Sequence, residues 1–176
     1  MGQPLPGVVC KRVSERGEDI TDPATPGELA VKSRTAFREY WGNPESTEKA
    51  FADGWFLTGD IAVIDQDAYR ILGRASIDII KSGGYKLSAL EIEAILLEHP
   101  DVSEVAVIGV PDDEWGEMVA AAVVLVNPVA EDSLIQWSRE RMSGYKVPRK
   151  WIFTDALPRN ALGKVTKPSL SAWFEG

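Results

Sequence analysis

The sequence predicts a mixed α/β chain of the α+β kind, with a mostly β first part and a small second part that has a sheet flanked by helices. Three observations predict it. Short apolar runs such as Ile61–Ile64, Tyr69–Leu72 and Ile77–Ile80 are separated by turn-forming clusters at Thr58-Gly59-Asp60 and Ser82-Gly83-Gly84. Ser88-Ala89-Leu90-Glu91 has the form of a capping box and opens a stretch with helical spacing. Beyond it, apolar strand-like runs alternate with helical segments, the pattern of a layered sheet-and-helix domain.

Taken in order, Val8–Val13 and Glu28–Lys32 read as strands on either side of a Gly/Asp/Pro-rich loop containing Pro23 and Pro26. Asn43 is placed to cap a short helix that runs to about Phe51. Pro44 takes its first position and Glu45 the positive end of its dipole. Trp55 to Leu72 supplies two or three strands around Asp65–Asp67. Ile77–Lys81 and Tyr85–Leu87 form a hairpin about Gly83-Gly84. A helix follows from about Ala89 to Glu98, with Leu90, Ile92, Ile95 and Leu96 at helical spacing, and Pro100 ends it. Val102–Val110 and Val119–Val126 are β-branched strand segments. Asp132 or Ser133 opens a helix to about Met142, Trp151–Thr154 is a further strand, and Lys167–Phe174 a last helix.

Composition narrows the function classes. With 176 residues, 44% hydrophobic and 26% charged, the chain can bury a core and divide into one or two modest domains. A single cysteine, Cys10, leaves no internal disulfide framework and fits a reducing, cytoplasmic compartment. No apolar run is long enough to cross a bilayer, and the start MGQPLPG lacks a signal pattern. A net charge of -8 argues against a general nucleic-acid binder. Between Ser138 and Lys167, however, eight basic residues stand against two acids, Glu140 and Asp155. That local excess suits an anionic ligand such as nucleotide phosphates or coenzyme A, and equally a solvated charged face.

Asp60 follows a glycine at a strand end, where an ionised carboxylate can accept two hydrogen bonds from a vicinal diol. Arg74 follows Gly73, and its guanidinium fork suits a second contact to a ribose or a phosphate. Taken singly, Asp60 is a turn former and Arg74 a surface charge. Lys164 follows Gly163 on an apparent loop, which leaves a compact ammonium able to reach into a site. His99 stands beside Pro100 and reads as structural. Neither a Cys/His cluster for zinc nor a G-x-S-x-G motif is present.

Several motifs in one order carry a resemblance: Trp55-Phe56-Leu57-Thr58-Gly59-Asp60, Gly73-Arg74, and Gly83-Gly84 through Glu91-Ile92-Glu93. They are joined by GQPLPG at Gly2–Gly7, GELAV at Gly27–Val31, YWGNPEST at Tyr40–Thr47 and PRNALGK at Pro158–Lys164. Together they resemble the adenylate-forming superfamily of acyl-CoA synthetases, peptide-synthetase adenylation domains and luciferases. The resemblance implies that residues 1–73 close a large N-terminal domain as a distorted barrel, and that residues 74–176 are a small mobile C-terminal domain. It makes Lys164 the catalytic lysine that meets the carboxylate and the α-phosphate, and Asp60 and Arg74 nucleotide-binding residues. The turn Gly83, Gly84, Tyr85 and Lys86 becomes a coenzyme A face, with Lys81, Tyr145 and Lys146 as weaker candidates. ATP/AMP, coenzyme A and Mg2+ are the implied cofactors, with Mg2+ bound mainly by the N-terminal domain.

Two departures qualify the resemblance. The hinge position two residues after Arg74 is Ser76 in place of the usual Asp or Lys, and RASIDIIK is one residue longer than the common form. Ser76 can still absorb a dihedral change, with Ile77 as the competing pivot. The longer form also looks like the malonyl-CoA synthetase-like branch. The Ser/Thr/Gly-rich phosphate loop is absent, so the chain resembles only the last third of such an enzyme. It is then an excised piece or a separate polypeptide acting with an N-terminal adenylation domain, inactive alone, with strand edges open to self-association. The favoured expectation is part of an acid–CoA ligase acting on a small carboxylic acid. The alternatives are an adenylation domain that loads a carrier protein, and a non-catalytic assembly module.

Overall fold

The computed structural model describes residues 2–174. Its contacts divide into two compact units, one ending at Ser76 and one beginning at Ile77.

The first unit is built on a five-stranded antiparallel sheet of β1 (Val8–Val13), β2 (Gly27–Ser33), β3 (Phe51–Ala52), β4 (Trp55–Asp65) and β5 (Ala68–Arg74), in the order β1-β2-β4-β3 with β5 on β4. The helix α1 (Pro44–Ala50) starts as its sequence predicts: Asn43 accepts the Ser46 amide at 3.0 Å and Pro44 takes the first turn. The β4–β5 turn needs left-handed backbone at two successive residues, and Gln66 and Asp67 supply it at φ 50° and 61°. Gly2 exchanges backbone hydrogen bonds with Tyr69, whose hydroxyl donates to the Cys10 carbonyl at 2.9 Å and ties β5 back to β1. Arg12 is almost wholly buried. Its guanidinium donates to the carbonyls of Thr25 (2.6 Å), Asp22 (2.9 Å) and Pro23 (3.0 Å), which satisfies the buried charge and fixes the irregular loop before β2.

The second unit carries a mixed sheet: β6 (Ile79–Ser82), β7 (Tyr85–Ser88), β8 (Val102–Asp112), β9 (Gly116–Leu125) and β10 (Lys150–Phe153). All pairs are antiparallel except β10, which runs parallel to β9. β9 is paired with β8 on one edge and β10 on the other, and both of its faces are covered. Ala121 and Val123 face one core with Ile92, Leu96 and Leu134, and Ala120 and Ala122 face the other with Leu157 and Leu170. Alternation along the strand sends successive residues to opposite sides, and small alanines let two layers approach closely. The helices are α2 (Ala89–Leu96) and α3 (Glu131–Arg139), with 3-10 turns at Gly144–Lys146 and Lys167–Trp173. Among the described residues no helix is long and apolar enough to cross a membrane.

Several sequence expectations shift in detail. Ile77 lies in a turn and is exposed, so the strand starts at Ile79. Ser88 caps α2 through the Glu91 amide at 3.1 Å, but the buried face of that helix is Ala89, Ile92 and Leu96, with Leu90 turned outward. Asp132 and Ser133 do not cap α3; its N-cap is Ala130, and the acidic Glu131 and Asp132 instead sit in the first turn, where the helix dipole favours them. The final segment is a 3-10 helix, opened by a proline at its start.

One cluster in this unit was not anticipated. Lys167 reaches Asp78 at 2.6 Å and Glu93 at 2.8 Å, with all three side chains nearly buried, and Glu93 also accepts the Val107 amide at 2.7 Å. Burial pushes the Glu93 carboxyl above its ordinary value, against the opposing pull of Lys167 and the amide. A carboxyl with a raised folded pKa contributes stability that is present below its unfolded value and lost as pH rises through the folded one. We therefore expect Glu93→Gln to flatten the fall in stability that this group imposes as pH rises through and above the ordinary glutamate range of about 4.3. Urea denaturation across that range reads it out, and an unchanged slope would contradict the assignment.

Candidate functional site

Thr58-Gly59-Asp60 lies inside β4 rather than at its end, and the strand bends there. Gly59 adopts φ 74°, and the pairing of β4 with β5 shifts register between Ile61 and Ala62. Three contacts pin the bend. The Thr58 hydroxyl donates to the Leu29 carbonyl at 2.8 Å and accepts the Asp60 amide at 3.1 Å, while the Gly59 amide donates to Glu28 Oε1 at 2.9 Å. β2 therefore backs the turn along its length.

Asp60 and Arg74 are direct cross-strand partners. Arg74 Nε meets Asp60 Oδ1 at 2.8 Å, and Arg74 Nη1 donates to the Thr58 carbonyl at 3.0 Å. With Arg74 59% and Asp60 31% exposed, the pair contributes only about 0–1 kcal/mol to stability. Its effect is geometric: it orients a carboxylate that has four lone-pair sites in all, so capacity remains for a diol.

Glu28 is a candidate site residue that no motif marks, since in the sequence it is one position of a strand. The available signal was alternation: Glu28 falls on the same face as Ala30, which is fully buried. A carboxylate on a core-side face needs a partner, and here that partner is the Gly59 amide. A cleft of about 290 Å³ on this unit is lined by Glu28, Lys11 and Trp55 among others, but by neither Asp60 nor Arg74.

In the second unit, Gly83 and Gly84 turn the β6–β7 hairpin with φ 56° and 81°. A Cβ on Gly83 would come within 2.8 Å of the Trp115 ring, whereas one on Gly84 would meet nothing within 4 Å. Gly84 thus leaves open space beside its backbone. Tyr85 stacks on Tyr145 with centroids 4.9 Å apart, and both rings are exposed. Lys86 is exposed on the same strand, and the Lys81 amide donates to Glu117. Ser76 lies exposed in the turn before β6. Lys164 is exposed on the loop after Pro158, with Gly163 at φ 78° beside it. His99 accepts the Asp101 amide at 3.1 Å through Nδ1 and packs edge-on to Trp137, a structural setting.

The basic stretch is largely engaged with the chain's own groups. Lys146 pairs with Glu91 at 2.9 Å, Arg159 with Glu104, and Lys167 with Asp78 and Glu93. Lys150 donates to the Phe174 carbonyl at 3.1 Å, and Arg149 covers Trp115 at 4.5 Å.

This combination of elements has relatives. Residues 91–164 match the AMP-binding enzyme C-terminal domain. Mitochondrial malonate–CoA ligase ACSF3 of Bos taurus is 44% identical over 97% of this chain and 33% of its own length. Long-chain-fatty-acid–CoA ligase FadD13 of Mycobacterium tuberculosis is 44% identical over 90% of the chain and 32% of its own length. In three dimensions, o-succinylbenzoate CoA synthetase of Bacillus subtilis, in complex with its acyl-adenylate intermediate OSB-AMP, superposes with a TM-score of 0.88 at 35% identity, covering 96% of this chain and 34% of that one. Residues 91–164 thus carry the AMP-binding enzyme C-terminal domain, the chain's homologues are CoA ligases, and its structural neighbours are adenylate-forming enzymes. It spans about a third of the length of the curated relatives it matches.

The bend in β4 generates a direct test. Gly59→Ala places a Cβ 3.2 Å from Arg74 Nη1 in a left-handed backbone, and should cost about 1–2 kcal/mol by chemical denaturation. The Arg74 side-chain Nε resonance should shift with it.

Proposed function

We propose that this chain is the C-terminal part of an ATP-dependent carboxylic acid–CoA ligase, which forms an acyl-adenylate and then a thioester. It acts with an N-terminal domain that supplies the phosphate loop and the acid pocket, and it has no activity without that domain. The observation that carries the reading is the Asp60–Arg74 pair, set side by side on β4 and β5 at a glycine bend within a chain whose relatives are CoA ligases.

In this reading Asp60 accepts hydrogen bonds from both ribose hydroxyls of ATP, since an ionised carboxylate offers acceptors only. Arg74 keeps Asp60 oriented and contributes a donor of its own. Lys164 acts electrostatically. Its ammonium meets the acid's carboxylate oxygen and the α-phosphate as charge develops during pyrophosphate departure. Mg2+ is assigned to the N-terminal domain.

Coenzyme A would approach the Gly83–Lys86 turn, where Gly84 leaves space at the backbone and Lys86 offers a cation for phosphate. Ser76, in the exposed turn between the units, serves as the hinge. The boundary at residues 73 and 74 separates the end of the adenylation domain from the mobile domain. The apolar side chains exposed on the first unit, among them Trp41 at 95% and Val9 at 57%, are surface that the N-terminal domain would cover.

A carrier-protein acceptor is less well supported, because the basic stretch that would receive an acidic helix is engaged with Glu91, Glu104, Asp78 and Glu93. The deciding experiment measures pyrophosphate release and coenzyme A consumption for the chain alone and together with the N-terminal domain. Malonate and a long-chain fatty acid belong in the acid panel. Activity only in the combination, with thiol consumed, is expected; silence in both, with no coenzyme A binding, would favour a non-catalytic assembly module. Within the active combination, Lys164→Ala should lower acyl-adenylate formation by about 100- to 1,000-fold. It should spare thioester formation from supplied adenylate, and equal loss of both half-reactions would refute the division of roles.

A further inference from the structure

Lys164 sits on a closed turn. Arg159 and Val165 form an antiparallel bridge at its base. The Asn160 amide donates to the Lys164 carbonyl and the Gly163 amide to the Asn160 carbonyl, both at 2.9 Å. The Asn160 side-chain oxygen accepts the Leu162 and Lys164 amides, both at 3.0 Å. Below this turn the chain is tied to the rest of the unit by a cation on each side. Arg159 donates to the Gly163 carbonyl at 2.7 Å through one nitrogen and pairs with Glu104 of β8 through the other. Lys167, three residues beyond Lys164, is buried between Asp78 and Glu93 at 2.6 and 2.8 Å.

We propose that Arg159 and Lys167 are positioning residues for Lys164, holding its loop at both roots so that the ammonium is presented from a fixed backbone. The proposal rests on the reading in which Lys164 serves adenylation. The energetics favour a positioning role over a stabilising one. Arg159 and Glu104 are both more than two-fifths exposed, and an ion pair of that kind adds little to folding stability. Its distinctive feature is that one guanidinium fork spans the loop carbonyl and a strand of the sheet, which fixes the loop against the sheet. Lys167 is the buried counterpart. A buried cation between two carboxylates is often no more stabilising than an apolar replacement, but it demands one geometry. A lysine side chain is long and flexible, so where its charge can go is set by where its Cα is held. Reaction rates fall steeply when a catalytic group is displaced by about an ångström.

The test uses two readouts on the same variants. Amide hydrogen exchange at Leu162, Gly163 and Lys164 is measured on the chain itself, and adenylation kinetics on the chain combined with the N-terminal domain. Arg159→Met should speed exchange at these three amides by about tenfold while β8 and β9 keep their protection. It should lower adenylation kcat by about 10- to 100-fold with the KM for ATP nearly unchanged, and Arg159→Lys should recover part of both effects. Lys167→Met should act in the same direction; if it fails to fold, Arg159→Met carries the test alone. Unchanged exchange overturns the proposal. So does faster exchange with unchanged kcat when Lys164→Ala still removes adenylation. If Lys164→Ala is itself without effect, the adenylation reading has failed, and the exchange data still decide whether the two cations hold the loop.

Discussion

The second unit depends on one buried ammonium. Lys167 lies near the end of the described chain, yet its partners Asp78 and Glu93 are at the start of the unit, on the approach to β6 and in α2. A charge removed from water must be paired, so the tail has to return to the hairpin and the helix. Leu170 and Phe174 then pack against Ala120 and Ala122 and close the second face of β9. Glu93 bears the cost of the arrangement in its raised pKa, and it is offset by Lys167 and the Val107 amide. With the tail held, the loop that carries Lys164 is fixed as well.

The first unit is organised by a comparable constraint on the backbone. β4 must pair with β2 and β5 and yet bend at Gly59, which exposes amides that would otherwise belong to the sheet. Glu28 and Thr58 take up those groups with side-chain oxygens. The bend brings Asp60 opposite Arg74, so a turn that satisfies its own hydrogen bonds also presents an oriented carboxylate. Each residue has a plain structural reason to be where it is, and the function proposed for it uses the same geometry.

Charge in this chain is distributed for pairing more than for display. The net charge of -8 coexists with a basic stretch after Ser138, and that stretch meets acids drawn from α2, β8 and the approach to β6. A linear excess of one sign is therefore no guide to a surface field, because folding brings in counter-charges from distant parts of the chain. Lys164 is the exposed lysine on the loop that two of these pairs hold.

The sequence by itself determined most of the strands, their turns and the caps of the first two helices. Alternation, glycine turns and an Asn or Ser before a helix are local signals that tertiary packing reinforces here. It also pointed to the class of protein, through the motif resemblance that runs from Trp55–Asp60 to Pro158–Lys164. Only the tertiary structure decided the rest. The pairing of Lys167 with Asp78 and Glu93, of Arg159 with Glu104, and of Glu28 with the Gly59 amide joins residues that are from 31 to 89 positions apart. No local pattern encodes such contacts. The same holds for which face of α2 is buried and for the parallel placement of β10, because both are set by what the sheet leaves uncovered once the chain has closed on itself.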